Sequence, residues 1–438
     1  MSTLHHPTAG RPLHSLFLQP LFAGLARSDQ QRSCPSLPDD LWLEAGVRRG
    51  LGGDFSGRAF LERLADESDC DIPVSNFFEA LKSRRRLALV RSVNEAVVRD
   101  LSAQAHGGGG RYDPFAEVAS LANFDLYAGD GHYVEKACHD TAIDGKHFAS
   151  GQFFGLNLRT HALFQMTHAD RKGRRKREHD MHALKRLTAD DLRRGAAKGA
   201  HGRKVLWVWD RAGIDAAWWV SIKMQHGIYF LSRSKENMAL ETRGLIPYEA
   251  NDPVNAGVTG NRFVYVANTC VRCVDYTCPA SGESYHFITT LSDPNVAPGV
   301  IAMLYKARWD IEKVFDETKR KLQSVKAWAT TQTAKNIQAC FLALTHNMLL
   351  LLERTLEVQH NLEQVTEIKR REKRLSEHRA NAAQRQMILS PLWEQLFLRP
   401  TQRMRIFIRW VRNNLPSNRA ITELIRPLNR RYGSCLAG

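Results

Sequence analysis

In the stretch Leu304–Leu322, "LYKARWDIEKVFDETKRKL", the pattern is helical, and Tyr305, Arg308, Glu312 and Lys319 follow one another at separations of three, four and seven residues. At about 100° per residue those four positions fall within a sector of roughly 60°. One helix face then presents a phenol, a guanidinium, a carboxylate and an ammonium. A salt-bridged solvent face is the ordinary reason for such a mixture. A site is the other reason: Arg and Lys suit phosphate oxygens, Tyr can hydrogen-bond or stack, and a Glu among cations makes sense if it holds a metal ion between them.

One carboxylate is a poor site for a hard cation, so partners are sought elsewhere. Asp210 follows "VLWVW", a run apolar enough for a central buried strand, and precedes the turn "RAG" and a helix. Asp130 stands in the strand-like "LYAGDGHYV", with a glycine on each side that leaves room for close approach by a metal or backbone. An Asp at the end of an apolar strand can also simply cap the helix that follows.

Outward from these acids the chain divides. The first 50 residues, rich in Pro, Gly, Ser and Arg, read as loosely ordered or a short cap. Helical patterns follow in "GRAFLERLADESD" and "IPVSNFFEALKSRRRLALVRSVNEAVVRDL", with Ser75 or Asn76 as cap and Lys82, Arg84 and Arg85 at a basic exit. Two short helices, a turn and basic residues fit a helix-turn-helix, or equally an ordinary bundle with a solvated face. "HGGGG" at 106–110 punctuates the chain. Beyond it, strand-length runs ("FDLYAGDGHYV", "FFGLNLRTHALFQMTH", "KVLWVWD", "GIYFLSRS") dominate to about Leu291. Long helices then resume from Pro298, and Trp218-Trp219 reads most simply as core. Mixed strands followed by long helices predict an α/β class.

Lys and Arg exceed Asp and Glu, 62 against 46, for a net charge of +16. Such an excess concerns partners rather than fold, and a polyphosphate is the obvious one. It concentrates in two regions: sixteen cations against four acids over 369–438, and thirteen against five over 170–204, where Arg171–Arg177 reads "RKGRRKR". In "TQRMRIFIRWVRNN", Met404, Phe407, Ile408 and Val411 share a face and Arg403, Arg405, Arg409 and Arg412 decorate the rest, which suits a partner subunit or phosphates. No run of about 18 apolar residues exists to span a bilayer. "LFLQPLFAGLA" is too short and too broken by Gln19 and Pro20 to read as a signal peptide, so a cytoplasmic protein is expected. Eight cysteines are too few for a disulfide framework. "CVRCVDYTC" fits a strand, and no second CxxC or nearby HxxxH completes a zinc site by spacing.

Tyr305-x2-Arg308-x3-Glu312-x6-Lys319 resembles the Y-(2)-R-(3)-E-(6)-K signature of DDE (Asp-Asp-Glu) transposases of the insertion-sequence-four type. The run Trp309–Phe315 is similar to that family's RW-x-IE-x-x-F, and "ITTLSD" before the helix and Asp210-Arg211 also match. The resemblance covers roughly Phe124 to Leu352 and departs at two points. Ala212 intervenes between Asp210-Arg211 and Gly213, and the first acid stands in Asp130-Gly131-His132 rather than Asp-Gly-Thr. Asp144, in "TAIDGKHF", competes with Asp130 for that role.

The resemblance implies an RNase H-like catalytic core with a β-rich insertion, preceded by a small helical DNA-binding region and followed by a helical basic C-terminal region. The expected division is 1–110 for the N-terminal helices, 111–215 for the first part of the core, 216–295 for the insertion, 296–360 for the completing helices and 361–438 for the basic tail, where dimerisation is placed. It implies Asp130, Asp210 and Glu312 as catalytic ligands of Mg²⁺, with Mn²⁺ as substitute. Tyr305, Arg308 and Lys319 are its DNA contacts. Arg174, Arg175 and Lys176 and the N-terminal Lys82, Arg84 and Arg85 are further DNA-facing cations. The expected activity is 3′-end cleavage and strand transfer of an insertion sequence, on double-stranded DNA, by a bacterial, nucleoid-associated homodimer without a membrane anchor. Two other functions compete, a nuclease that cuts without integrating and a DNA binder with a decayed site.

Overall fold

The computed structural model describes the chain apart from residues 1–9, 34, 53–55, 69, 108–111, 135–149, 170–179, 194–203, 323, 325, 363 and 434–438. Its centre is one sheet built from β1 (Phe124–Val134), β2 (Ser150–Asn157), β3 (Leu163–His168), β4 (Lys204–Val208), β5 (Ile228–Arg233), β6 (Glu241–Leu245), β7 (Val258–Val266), β8 (Thr269–Thr277) and β9 (Ser284–Thr289). The order across the sheet is β3-β2-β1-β4-β5-β9-β8-β7-β6. β1, β4 and β5 run parallel, and every other pairing is antiparallel. This is the mixed α/β class the sequence predicts. The β-rich segment extends the same sheet through β5 and β9. The run read as one strand from Phe153 to His168 is two: the Asn157 side chain accepts from the amides of Arg159 (2.9 Å) and Thr160 (3.0 Å), and His161 turns the chain with φ 60°.

The helices are α1 (Leu13–Ala26), α2 (Asp39–Gly52), α3 (Gly57–Glu67), α4 (Val74–Ala80), α5 (Arg84–Gly107), α6 (Asp180–Lys185), α7 (Ala189–Arg193), α8 (Ala216–His226), α9 (Pro298–Asp316), α10 (Gln332–His360), α11 (Val365–Gln384), α12 (Pro391–Leu398), α13 (Arg405–Asn414) and α14 (Ile421–Gly433). One face of the sheet packs on α9, α11 and α12. The other is covered by residues of α6, α7 and α8, where Trp219 is fully buried and stacked on Phe230. A third core joins α1–α5 to α10, α13 and α14.

The described part of the first 50 residues is thus not a loose cap. Leu13, Phe17 and Leu21 of α1 and Trp42 and Leu43 of α2 are buried, and Pro20 sits inside α1 without ending it. Apolar burial on both sides of Pro20 outweighs the one helical bond a proline forfeits. α4 is capped by Pro73, with no side-chain cap from Ser75 or Asn76. The apolar face of α13, which the sequence offered to a partner or to phosphates, is taken by the chain itself: Phe407, Ile408 and Val411 lie in the core shared with α1 and α2. Arg403 is buried, and Arg412 donates to the Leu51 carbonyl at 2.6 Å.

α9 is set on the sheet from its first turn. Pro298 occupies the start of the helix, where its missing N–H costs nothing. The Gly299 amide donates to Asn255 Oδ1 at 2.9 Å. Arg272 of β8, fully buried, donates to the carbonyls of Asp293 (2.9 Å) and Val296 (3.0 Å) just before the helix. A Cβ on Gly299 would stand 1.8 Å from the Val254 carbonyl oxygen, a backbone atom that cannot swing away. Gly299→Ala is therefore expected to destabilise the fold by at least about 1–3 kcal/mol in denaturant unfolding. Gly244→Ala, where nothing lies within 4 Å, is expected to be near neutral; equal effects would refute this account of how α9 is seated.

Candidate active site

The parallel pairing of β1 with β4 runs in register from Phe124↔Lys204 to Ala128↔Val208. Carried two residues further, it places Asp130 level with Asp210. β1 continues past the end of β4, still paired with β2 through Asp130↔Phe154, so both acids lie at the carboxyl edge of the parallel strands. That edge is where open α/β sheets form their ligand sites. α9 packs across β1 and β4 and brings up Glu312.

Asp130 senses both of the other carboxylates. Asp130 keeps an opening to solvent, yet enough protein surrounds it that desolvation pushes its carboxyl up to about 7; the Gly131 amide and Arg308 oppose this, and the charges of Asp210 and Glu312 add to it. Asp210 caps the short turn Arg211–Gly213, its Oδ1 accepting from the Ala212 amide at 2.9 Å, while its carbonyl accepts from Ser232 Oγ at 2.9 Å. The capping role is present, with Ala212 supplying the amide. Glu312 Oε1 pairs with Arg308 Nη2 at 2.8 Å. Among the described residues the three acids do not each bring an oxygen to within 4.8 Å of the others. All their donors are hard oxygens, and Asp130, pushed up chiefly by desolvation, also senses the charges of the other two. A divalent cation fits such a set.

The other signature residues surround these acids. Arg308 is buried, with Nε and Nη1 lacking hydrogen-bond partners, and its guanidinium lies 5.5 Å from the Tyr305 ring and 5.2 Å from the Trp309 ring. Tyr305 packs at 4.9 Å from Phe287; burial raises its phenol, which also senses Asp210. Lys319 does not continue the α-helix as its spacing implied. α9 ends at Asp316, and Glu317–Lys321 form a π-helical turn, which presents Lys319 to solvent and shifts its phase from the 100° count. The charge of Lys319 still reaches His132, whose buried ring is held down to about 3, chiefly by desolvation.

The glycines beside Asp130 serve a different purpose from the one their spacing suggested. Alternation along β1 sends them to the opposite face, where a Cβ on Gly129 would meet the Trp209 ring at 2.3 Å and one on Gly131 the Tyr133 ring at 2.8 Å. They admit aromatic packing beneath the site. Of the other expected contacts, Lys82 pairs with Glu79, Arg84 faces solvent, and Arg85 is committed to Asp39 at 2.7 and 2.8 Å and to the Gln30 carbonyl. Arg174, Arg175, Lys176 and Asp144 lie outside the described residues.

Three groups near the site escaped sequence reading. Arg233 ends β5, stacks over Tyr285 at 4.7 Å and contributes its charge to Tyr305; only its place after "YFLS" hinted at it. Asp310, beside Glu312 in sequence, is buried and bonded to His161 Nε2 at 3.0 Å and Lys313 Nζ at 2.8 Å. Glu317, fully buried, accepts from Arg403 Nε at 2.9 Å and lies 3.3 Å from His346 Nδ1. Burial alone would raise Glu317; Arg403 and His346 overcome it and hold the carboxyl near 2. No local pattern announces partners 29 and 86 residues away.

β1, β4 and the helix α9 that crosses them bring Asp130, Asp210 and Glu312 to one edge of the sheet. The family model of the transposase DDE domain matches residues 120–348, just over half of the chain, and the chain belongs to that family. It is a DNA-processing enzyme of the transposase class, a class that generally uses divalent metal ions. No curated protein matches the chain. Among the described residues no helix is long and apolar enough to cross a membrane.

Two measurements probe this site. A carboxyl raised to about 7 in the fold from an ordinary 3.8 stabilises the metal-free fold fully below pH about 4, and the contribution is lost as pH rises to about 7. Asp130→Asn is accordingly expected to gain thermal stability relative to wild type between those limits and to keep a constant advantage above them; a pH-independent difference would refute the assignment. Arg403→Met, which strands Glu317 in the core, is expected to cost roughly 3–5 kcal/mol in denaturant unfolding, with the double variant Glu317→Leu/Arg403→Met recovering much of the loss.

Proposed function

We propose that this chain is the transposase of an insertion sequence of the insertion-sequence-four type, cutting the element's 3′ ends and joining them to target DNA by a cut-and-paste route on an RNase H-like core. The observation that carries the reading is the edge where β1, β4 and α9 meet, with Asp130 level with Asp210 and sensing the charges of both Asp210 and Glu312. These three would hold Mg²⁺, with Mn²⁺ as substitute. When bound, the metal activates the attacking oxygen and stabilises the leaving oxygen of an in-line transfer.

The chain's own groups account for the remainder. In cleavage a water oxygen bonds to phosphorus as the P–O3′ bond breaks and a 3′-OH is freed. In joining, that 3′ oxygen attacks a target phosphate and displaces the target's 3′ oxygen. Arg308 is already placed beside Glu312 with two buried nitrogens, Nε and Nη1, unpartnered, and phosphate oxygens would satisfy them. Tyr305 and Lys319 would hold the neighbouring phosphates. Arg174, Arg175 and Lys176 and the solvent-facing Lys82 and Arg84 would add sequence-independent, salt-sensitive binding; Arg85, held by Asp39, would contribute only if that pair opened. In this reading 1–110 recognises the element's ends, 111–215 with 296–360 forms the core, 216–295 is its β-rich insertion and 361–438 completes the fold. Two ends to be joined require two active sites, so a homodimer on DNA is proposed, working on the nucleoid of a bacterial cytoplasm.

The test is an excision and strand-transfer assay in Mg²⁺ on a plasmid carrying the gene with its native flanks. Glu312→Gln is expected to lower cleavage on the order of a thousandfold, as loss of several kcal/mol of charge stabilisation requires, while DNA binding persists. Nicking by wild type without joining would make it a nuclease. Binding of the flanks with no product from either protein would make it a decayed DNA binder.

A further inference from the structure

A second polar cluster lies in the β-rich part of the sheet, built by cross-strand register. Cys273 and Asp275, two apart on β8, share a face. Asp275 stands opposite His286 of β9, and Cys273 opposite Arg262 of β7. Asp275 Oδ1 lies 2.5 Å from His286 Nδ1 and 3.7 Å from Cys273 Sγ, while its Oδ2 accepts from Arg262 Nη1 at 2.5 Å. One ligand atom from each of Cys273, Asp275 and His286 falls within 4.8 Å of the other two, which holds for no other such group among the described residues.

An ion-pair triad, Asp275 bridging Arg262 and His286, accounts for three of these four side chains. It does not account for a thiol, fully buried, directed at the same carboxylate oxygen as the imidazole. We propose that Cys273, Asp275 and His286 form a site for one Zn²⁺, with a fourth position open to solvent beside His286.

The chemistry and the dimensions both favour this ion. Thiolate, imidazole and carboxylate together select zinc over the hard cations suited to the all-oxygen set of Asp130, Asp210 and Glu312. Tetrahedral zinc, with bonds of about 2.0–2.3 Å, separates its ligand atoms by roughly 3.3–3.7 Å. The Sγ to Oδ1 distance of 3.7 Å meets that already. The imidazole at 2.5 Å must retreat by about 1 Å, and the His286 side chain, 52% exposed, has room to do so. Arg262 keeps Oδ2 occupied and leaves Oδ1 for the ion, the orienting role that outer groups play around metals. It also lies 4.0 Å from Cys273 Sγ, where its charge offsets that of the thiolate. Binding replaces the thiol proton, which is released to solvent, so affinity falls as pH is lowered. The ion would tie β8 to β9, in the segment between Asp210 and Glu312 in sequence. Nothing in this site depends on the transposase reading.

The experiment is a Co²⁺ titration of the metal-stripped, reduced full chain in excess Mg²⁺, which occupies carboxylate sites, followed by displacement with Zn²⁺. A thiolate-to-cobalt charge-transfer band is the readout, because an all-oxygen site cannot produce it. The expected result is a band that saturates near one equivalent per chain, is bleached by Zn²⁺, and is lost in both His286→Ala and Cys273→Ser. His286 is exposed, so His286→Ala leaves the core intact even if Cys273→Ser folds poorly. Absence of the band in wild type would overturn the proposal, as would a band of wild-type strength and affinity in His286→Ala, or its persistence in folded Cys273→Ser.

Discussion

The parallel pairing of β1 with β4 is the constraint on which the site depends. Its register brings two carboxylates, eighty residues apart, level at one edge of the sheet. Like charges at such an edge repel, and they add to the desolvation that pushes the Asp130 carboxyl up. The arrangement is tolerable because Arg308 lies among them and because packing elsewhere forces it. Trp209 fills the space beneath Gly129, and Trp207 stacks on both Trp209 and Tyr127, so the strands cannot separate to relieve the charge. Packing thus holds the acidic edge together against its own repulsion.

The second requirement is that α9 keep Glu312 over that edge. Its start is fastened by Gly299, Asn255 and Arg272, its middle by Asp310 to His161, and its end by Glu317 to Arg403 and His346. Gln402 adds a bond to the Lys313 carbonyl at 2.5 Å, and Arg399 reaches the carbonyls of Tyr112, Leu158 and Arg159. The segment after α12 is therefore part of the framework that seats α9 as much as a basic tail. Buried charges of this kind add little net stability once desolvation is counted, but they tolerate few alternative arrangements. Here they specify where α9 ends and where its π-helical turn begins.

How much could be read beforehand varied with the range of the interaction. The class of fold, the strand carrying Asp130, the strand that ends just before Asp210, and the helix carrying Tyr305, Arg308 and Glu312 were legible because each rests on local periodicity. Reading failed where a residue's role depends on what packs against it. The glycines around Asp130 serve aromatic rings on the far face, and the first 50 residues hold buried helices that composition disguised. The arginines of "TQRMRIFIRWVRNN" split between core and solvent: Arg403 is buried on Glu317, whereas Arg405 and Arg409 remain exposed. The Cys273 cluster was unreadable for the same reason, since its histidine and arginine come from neighbouring strands.

The sequence by itself determined the chemistry available: three acids, a helix face bearing phenol, guanidinium and carboxylate, and a strong excess of positive charge. These follow from residue identity and spacing within a single element, where 3.6- and 2-residue periods convert order directly into direction. Only the tertiary structure decided which acids share an edge, which arginines are spent on internal carboxylates, and that Lys319 leaves the helical phase at a π-helical turn. Those outcomes depend on strand register and on burial, both of which arise from contacts between segments tens to hundreds of residues apart.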